Sequence, residues 1–454
     1  MPLTCRRLAL IVLTLLAPAA ALRAADAAKP LVLLVSIDGL KPEAVTDAVA
    51  HGLRVPNLRA LMTDGMYAST VRGVLPTLTF PSHSTLLTGA SPDKHGILAN
   101  TTFDPFNKND KGWYWYAEDF KVPTLWDAVA ATRRVTANIY WPVSVGAHID
   151  YNLPQIWRRY TDDDRKLQRA LSTAGLEQAL APGLGRYPAG GEETVTDDEI
   201  RAKYAVRLLQ TKHPDFMTVY LAGLDTQEHE SGPFSPPANA VLERLDAVVG
   251  ALRAAAERLA PGRATLCVVS DHGFATIEHD VNLYWAFLQE GLFSIDADNA
   301  ITTWKAMPWP AGGSAAIMLA DPQDEATRLK VAALLKRLAA DPANGIDRVL
   351  TPAEIASFRG FPDAAFVVGF KIGYEIAYAL TGPLIVPPAN RGMHGFLPDR
   401  PEMRSSFFMV GPRIPRHRNL GEIDMRRIAP TLANVLEVQL AGAELESLSL
   451  EPAR

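Results

Sequence analysis

Six carboxylate and imidazole side chains recur in one local setting along this chain. Asp38 closes the apolar run 31–37 in Ser36-Ile37-Asp38-Gly39. Asp225 follows the run 216–221, with His229 four residues later. Asp271 and His272 end the run 265–270, and His394 lies in the turn Gly392-Met393-His394-Gly395. Carboxylate oxygen and imidazole nitrogen are the ligands that zinc and similar divalent ions accept, three or four per ion. Six such groups and one bridging nucleophile would serve two ions. Each piece alone also suits a plainer role. An Asp-Gly after a strand makes an ordinary turn, an Asp–His pair at i, i+4 suits a solvated helix face, and a histidine between glycines can simply fill a turn. Their joint occurrence is what the plain roles leave unexplained. The other seven histidines (His51, His83, His95, His148, His213, His279 and His417) are read as structural or surface groups.

A nucleophile for such a site is offered by Pro76-Thr77-Leu78-Thr79-Phe80-Pro81-Ser82-His83-Ser84. A threonine hydroxyl is a poor nucleophile near neutral pH until a metal or base helps remove its proton. The alternative is a proline-rich turn whose Thr or Ser caps a helix.

The elements that must position these groups are short buried strands, each followed by a polar turn: 31–37, 216–221, 265–270 and 407–410. Amphipathic helical patterns lie between them, as at 238–259 and 325–340. Continuous apolar strands alternating with helices predict an α/β fold with a mostly parallel sheet covered on both faces. Ligands of such sheets bind outside the carboxyl ends of the strands, where the six groups fall. Residues 101–213, aromatic and then Gly/Pro-rich, and residues 281–390, punctuated by prolines, read as insertions rather than sheet elements.

Composition is globular, with 48% hydrophobic and 21% charged residues. Arg6 and Arg7, an apolar run over 8–16 and an Ala-rich stretch over 19–28 have the layout of a secretory signal peptide. The run is short of the roughly 20 residues a membrane span needs. Cleavage after Ala21, Ala25 or Ala27 fits, so 1–27 is taken as the signal and 28–454 as one catalytic domain. The mature chain is expected to be periplasmic or secreted, with no membrane span. Cys5 leaves with the signal, and the remaining Cys267 sits in an apolar run and reads as a core residue. Loss of residues 1–25 removes Arg6, Arg7 and Arg23 and moves the formal charge from −5 to −8. With no basic tract, long nucleic acid is excluded as a partner and small phosphate esters remain.

In their order, Val35-Ser36-Ile37-Asp38-Gly39, Pro76-Thr77-Leu78-Thr79-Phe80-Pro81, His95-Gly96-Ile97, Asp225 to His229, Ser270-Asp271-His272-Gly273 and His394-Gly395 resemble the nucleotide pyrophosphatase/phosphodiesterase family of the alkaline phosphatase superfamily. The resemblance spans residues 31–396 and implies an alkaline phosphatase-like fold. It also implies two Zn2+ ions, one held by Asp225, His229 and His394 and the other by Asp38, Asp271 and His272. Thr79 would bridge or approach both as catalytic nucleophile and metal ligand. Asn100 would donate to a non-bridging phosphate oxygen as an oxyanion-type group. Phe80 would stack on a base. Two departures stand out. Ser82 replaces the family's asparagine before His83, which is expected to change a contact behind the metals and not the metals. Ile156 stands where a base-stacking tyrosine would be, which puts nucleotide preference in question.

The implied activity is hydrolysis of small phosphodiesters or pyrophosphates through a phospho-threonine. The alternatives are a phosphomonoesterase or phosphonate hydrolase on the same metal core, or a non-catalytic metal-binding surface protein. Arg72, seven residues before Thr79, is not where a monoesterase places its extra cation, and no Cys-x-Pro-x-Arg or Ser-x-Pro-x-Arg segment points to a sulfatase.

Overall fold

Eight strands form one twisted sheet in the computed structural model, which describes residues 29–110 and 112–451. The expected signal peptide lies outside the described residues. In chain order the strands are β1 (Leu31–Ile37), β2 (Met66–Tyr67), β3 (Thr136–Ile139), β4 (Tyr151–Leu153), β5 (Phe216–Leu221), β6 (Ala264–Val269), β7 (Phe407–Val410) and β8 (Arg418–Asn419). Their spatial order is β8-β2-β7-β6-β1-β5-β3-β4. The central block from β6 to β4 is parallel, while β7 runs antiparallel to β6 and β2. The fold is alkaline phosphatase-like, a largely parallel sheet flanked by helices, as the alternating pattern predicts.

β1 shows why the pattern was readable. All seven of its residues are buried, as a strand covered on both faces requires. Its register pairs Ile37 with Leu221 of β5 and Ser36 with Val269 of β6. The three strands therefore end level with one another, and the residues that follow them share one edge of the sheet. β6 starts and stops one residue before the run read from sequence. Cys267 is fully buried there, as expected, and burial pushes its thiol far above the ordinary range.

Residues 101–213 require a correction, because β3 and β4 lie inside this stretch and belong to the main sheet. They carry no apolar run because polar side chains are buried in them. Asn138 donates through Nδ2 to Oδ1 of Asn152 at 2.9 Å, and its own Oδ1 accepts Thr218 Oγ1 at 2.8 Å. This polar row satisfies itself, so burial costs little, but it erases the hydrophobic signature. Residues 281–390 behave differently. Four antiparallel strands there (Ala306–Pro310, Ser314–Leu319, Ile346–Leu350 and Phe366–Phe370) form a separate sheet over its own apolar cluster.

Four helices matter for the site: α1 (Thr79–Thr88), α2 (Val195–Lys212), α3 (Gly223–Ser231) and α4 (Pro236–Leu259). α2 begins with a capping box between Thr194 and Asp197, and α4 with Ser235 accepting from Ala238. No helix of the described residues is long and apolar enough to cross a membrane.

A buried ion pair ties α2 to α3. Asp198 accepts the backbone N–H groups of Ala222 and Gly223 at 3.2 and 2.7 Å, fixing the start of the helix that carries Asp225 and His229. Arg201, itself fully buried, bonds Asp198 Oδ1 at 3.1 Å and lies over the Tyr140 ring. Arg201→Met would leave a buried carboxylate without its counter-charge, which costs about 3–5 kcal/mol. Guanidinium unfolding of this variant should show a loss of that size, whereas a loss below about 1 kcal/mol would mean the pair anchors nothing.

Candidate active site and metal centre

Asp38 follows β1, Asp271 and His272 follow β6, and Asp225 with His229 sit on the first turns of α3 just after β5. His394 arrives from the far end of the chain. Gly395 makes that approach possible: its φ is +82°, and a Cβ there would lie 1.8 Å from the Ala311 carbonyl. Its N–H donates to Thr77 O at 3.0 Å, which fastens His394 to the segment that carries Thr79. Gly39 serves similarly behind Asp38, with φ +74° and no room for a Cβ beside Glu228 and Phe274.

The six groups converge as two triplets, Asp38–Asp271–His272 and Asp225–His229–His394, with the ligand atoms of each within 4.8 Å of one another. His272 Nε2 lies 3.3 Å from Asp38 Oδ1 and 3.1 Å from Asp271 Oδ2. Asp225 Oδ1 lies 3.5 Å from His229 Nε2 and 3.6 Å from His394 Nε2. The rings of His272 and His394 stack at 3.6 Å and join the triplets.

The donor set fits divalent cations on grounds internal to this structure. Each histidine faces a backbone carbonyl through Nδ1: Gly392 O for His229 at 2.9 Å, Thr77 O for His394 at 3.1 Å and Gly273 O for His272 at 3.2 Å. Such a bond puts the proton on Nδ1 and leaves a lone pair on Nε2. All three Nε2 atoms then point at carboxylate oxygens, those of His272 and His394 with a lone pair and that of His229 with a proton as long as no metal is bound. Asp38 Oδ1, Asp225 Oδ1 and Asp271 Oδ2 are themselves buried without a hydrogen-bond donor. Lone pairs facing lone pairs in a buried site repel unless positive charge sits between them.

The proton affinities reflect the same crowding. Burial, then Asp271 and Asp225, holds Asp38 well above the usual carboxylate range. Burial, then Asp225, raises Asp271 to about 7. Burial lowers His272, with His394 and His229 adding to it, and lowers His394 to about 4. His229 goes the other way: burial lowers it, but Asp225, joined by the Gly392 carbonyl and Glu375, raises it to about 9.

Thr79 is the first residue of α1, and its Oγ1 is 3.4 Å from His272 Nε2. Proline at position three of this helix costs nothing, since first-turn N–H groups have no intrahelical partner. Asn100 Oδ1 accepts the Phe80 N–H at 3.0 Å, so the amide is oriented with Nδ2 as its remaining donor. Two residues that sequence reading passed over support the centre. His83 donates toward Thr79 O at 2.8 Å, lies 3.5 Å from Asp271 Oδ2 and meets Ser36 Oγ through Nε2 at 2.8 Å. Tyr220 donates to Asp38 Oδ2 from within β5. Spacing from Thr79 along α1 would have flagged His83, whereas Tyr220 sits in an apolar run that gives no signal. Ser82 is buried, and its Oγ makes no hydrogen bond.

Phe80 is not placed as the sequence suggests. It is 1% exposed, its ring covered by Trp113 at 5.2 Å and Trp115 at 5.6 Å, in a cluster that also buries Ile156. Nothing in the local sequence announces that cover. The adjoining cavity, about 490 Å³, is lined by two aromatic residues, Trp113 and Tyr378, with Leu78, Asn100, His229 and His394.

A family model described as type I phosphodiesterase / nucleotide pyrophosphatase matches residues 32–395. Ectonucleotide pyrophosphatase/phosphodiesterase family member 3 of Rattus norvegicus is 26% identical over 256 residues, 54% of this chain and 25% of that protein. Family member 1 of the same species is 28% identical over 258 residues, covering 55% and 24%. The matched part of the chain thus spans about a quarter of the length of these curated relatives. Among solved structures, an inactive threonine-to-alanine variant of murine ectonucleotide pyrophosphatase / phosphodiesterase 5 in complex with AMP shares the fold. Its TM-score is 0.65 at 18% identity, over 93% of this chain and 98% of that one.

Proposed function

The chain belongs to the type I phosphodiesterase / nucleotide pyrophosphatase family, and on that premise we propose that it hydrolyses phosphodiester or pyrophosphate bonds of small nucleotide-like substrates through a phospho-threonine at Thr79. The observation that carries this reading is the Thr79 hydroxyl 3.4 Å from His272, beside two triplets of metal-type donors. Asp225, His229 and His394 would hold one Zn2+ and Asp38, Asp271, His272 and Thr79 the other. Bound there, two Zn2+ ions would supply Lewis-acid stabilisation of phosphoryl charge and favour deprotonation of oxygen nucleophiles.

The chain's own groups then do the following. Thr79 Oγ1 gives its proton to solvent water and attacks phosphorus in line, forming a P–O bond as the bond to the leaving oxygen breaks and that oxygen takes a proton from water. A water oxygen next attacks phosphorus from the vacated side, and Thr79 leaves and regains a proton. Asn100 Nδ2 donates to a non-bridging oxygen as charge grows there. His83 holds the Thr79 backbone, and Tyr220 holds Asp38. Trp113 presents an apolar face to a base or other ring. The reading includes an exported protein with residues 28–454 as one catalytic domain. AMP in the murine neighbour supports nucleotide-like substrates.

Diesters are favoured over monoesters because no Lys or Arg is among the described residues lining the cavity. A dianionic monoester needs further cations, each charged hydrogen bond being worth about 1.5–3 kcal/mol. The zinc-loaded protein is therefore expected to cleave bis-p-nitrophenyl phosphate with kcat/KM about a hundredfold above p-nitrophenyl phosphate. The opposite order would make the protein a monoesterase.

A further inference from the structure

The cavity that holds His229 and His394 ends in a wall of acceptors that the proposed chemistry does not use. Strand Gly373–Ile376 runs parallel to strand Ala275–Val281, and the register sets Glu375 directly against Asp280. The two carboxyls are close enough to hydrogen-bond each other, and burial with Asp280 beside it raises Glu375 to about 7. Two carboxyls sharing a proton keep one negative charge near neutrality. Asp280 Oδ2 accepts the Ala389 N–H at 3.2 Å, and Asn390 Nδ2 reaches Glu375 Oε1 at 3.2 Å.

Two acceptors of this wall are left short of donors. Asp280 is 7% exposed and Asn282 1%, and both line the cavity. Asn282 Oδ1 is buried without a donor, and Asp280 Oδ1 has none beyond the proton its carboxyl shares with Glu375. Asn282 is oriented by its Nδ2 bond to Pro383 O at 2.7 Å, so the amide oxygen is the end left over. Buried acceptors without donors are costly, and a ligand bearing N–H groups and positive charge would satisfy both. Tyr378, 70% exposed on the same wall, adds an aromatic face of the kind cations favour.

The position of the wall says which part of the substrate it meets. Thr79 approaches from the Asp38–Asp271–His272 side. In-line displacement sends the leaving oxygen away from the nucleophile, toward the Asp225–His229–His394 triplet. Glu375 and Asp280 share a cavity with His229 and His394. We propose that Asp280, Asn282 and Glu375 form a leaving-group subsite for a protonated amine, so that the preferred diesters release an alcohol carrying an N–H ammonium group. This rests on the phosphodiesterase reading and narrows its substrate class. In the step concerned the phosphorus–oxygen bond to the amino alcohol breaks, and that oxygen departs with a proton from water while phosphorus is held by Thr79.

The test uses three glycerol phosphodiesters on the zinc-loaded full chain, with 2-aminoethyl, 2-(trimethylammonio)ethyl and propyl as the second ester group. The aminoethyl ester is expected to exceed the propyl ester in kcat/KM by about tenfold or more, releasing aminoethanol and glycerol phosphate. In Glu375→Gln/Asp280→Asn the ratio of the two should collapse toward one. Equal rates for aminoethyl and propyl esters, release of aminoethyl phosphate, or a trimethylammonio ester as fast as the aminoethyl one would overturn the assignment. So would a third equivalent of divalent metal that the double variant loses. Failure of bis-p-nitrophenyl phosphate hydrolysis would instead remove the parent reading. Saturation-transfer NMR of aminoethanol against propanol then decides the subsite alone, with equal contact of the two alcohols overturning it.

Discussion

Thr79→Ala is expected to keep both metal equivalents and to lose phosphodiester turnover by about 10³- to 10⁶-fold, the range for deletion of a covalent nucleophile. The substitution takes away Oγ1 and one methyl group and little else. Alanine fits the first helical position without strain, and the Thr79 carbonyl that His83 holds at 2.8 Å is backbone and stays. His272 retains its contacts with Asp38 and Asp271, so the triplet it belongs to loses no protein donor other than the threonine itself. Because the change removes one hydroxyl and one methyl from a side chain that is 7% exposed, the stability cost should stay at about 1–2 kcal/mol. Metal analysis, kcat on bis-p-nitrophenyl phosphate and an unfolding curve on one preparation check all three statements. A variant within tenfold of wild type would remove the phospho-threonine from the mechanism, and an inactive variant stripped of metal would make Thr79 a ligand first and a nucleophile second.

How far the sequence led depended on where polarity was buried. β1, β5 and β7 were legible to the residue because every side chain in them is apolar or small and buried, and the charged group that follows each chemistry-bearing run breaks the pattern sharply. β3 and β4 were not legible because Asn138, Asn152 and Thr218 bond one another inside the sheet. The metal-type donors were readable from their recurrence after strands. Their supports were less so. Tyr220 reaches Asp38 from a position that reads as core, and Asp280 and Glu375 meet only through a register between strands almost a hundred residues apart. Phe80 marks the opposite failure: its neighbour in sequence is the proposed nucleophile, yet Trp113 from a different stretch takes the place at the cavity wall.

Removal of the metals should destabilise the fold as well as abolish activity, and the loss should depend on pH. Free metal at a thousand times its dissociation constant stabilises each site by about 4 kcal/mol, so two sites contribute on the order of 8 kcal/mol. For a chain of this size the melting temperature should fall by roughly 10 °C on chelation. The metal-free protein must leave Asp38 and Asp271 close together and buried, and folding then favours the protonated acid. Asp271 is raised to about 7 from a value near 3.8 in the unfolded chain. Below 3.8 both states hold the proton and nothing is lost. Between 3.8 and about 7 only the folded state holds it, so metal-free stability declines as pH rises and levels off above 7. With metal bound the same carboxylates are needed ionised, and the trend reverses. The gap between metal-loaded and chelated melting temperatures should therefore widen from pH 5 to pH 8. Asp271→Asn and His272→Ala should each lose one equivalent of zinc and at least about a thousandfold in rate, while the Asp225 triplet keeps its ion. A gap that narrows with rising pH, or full zinc occupancy in both variants, would mean that the groups packed around His272 are held together by something other than a cation.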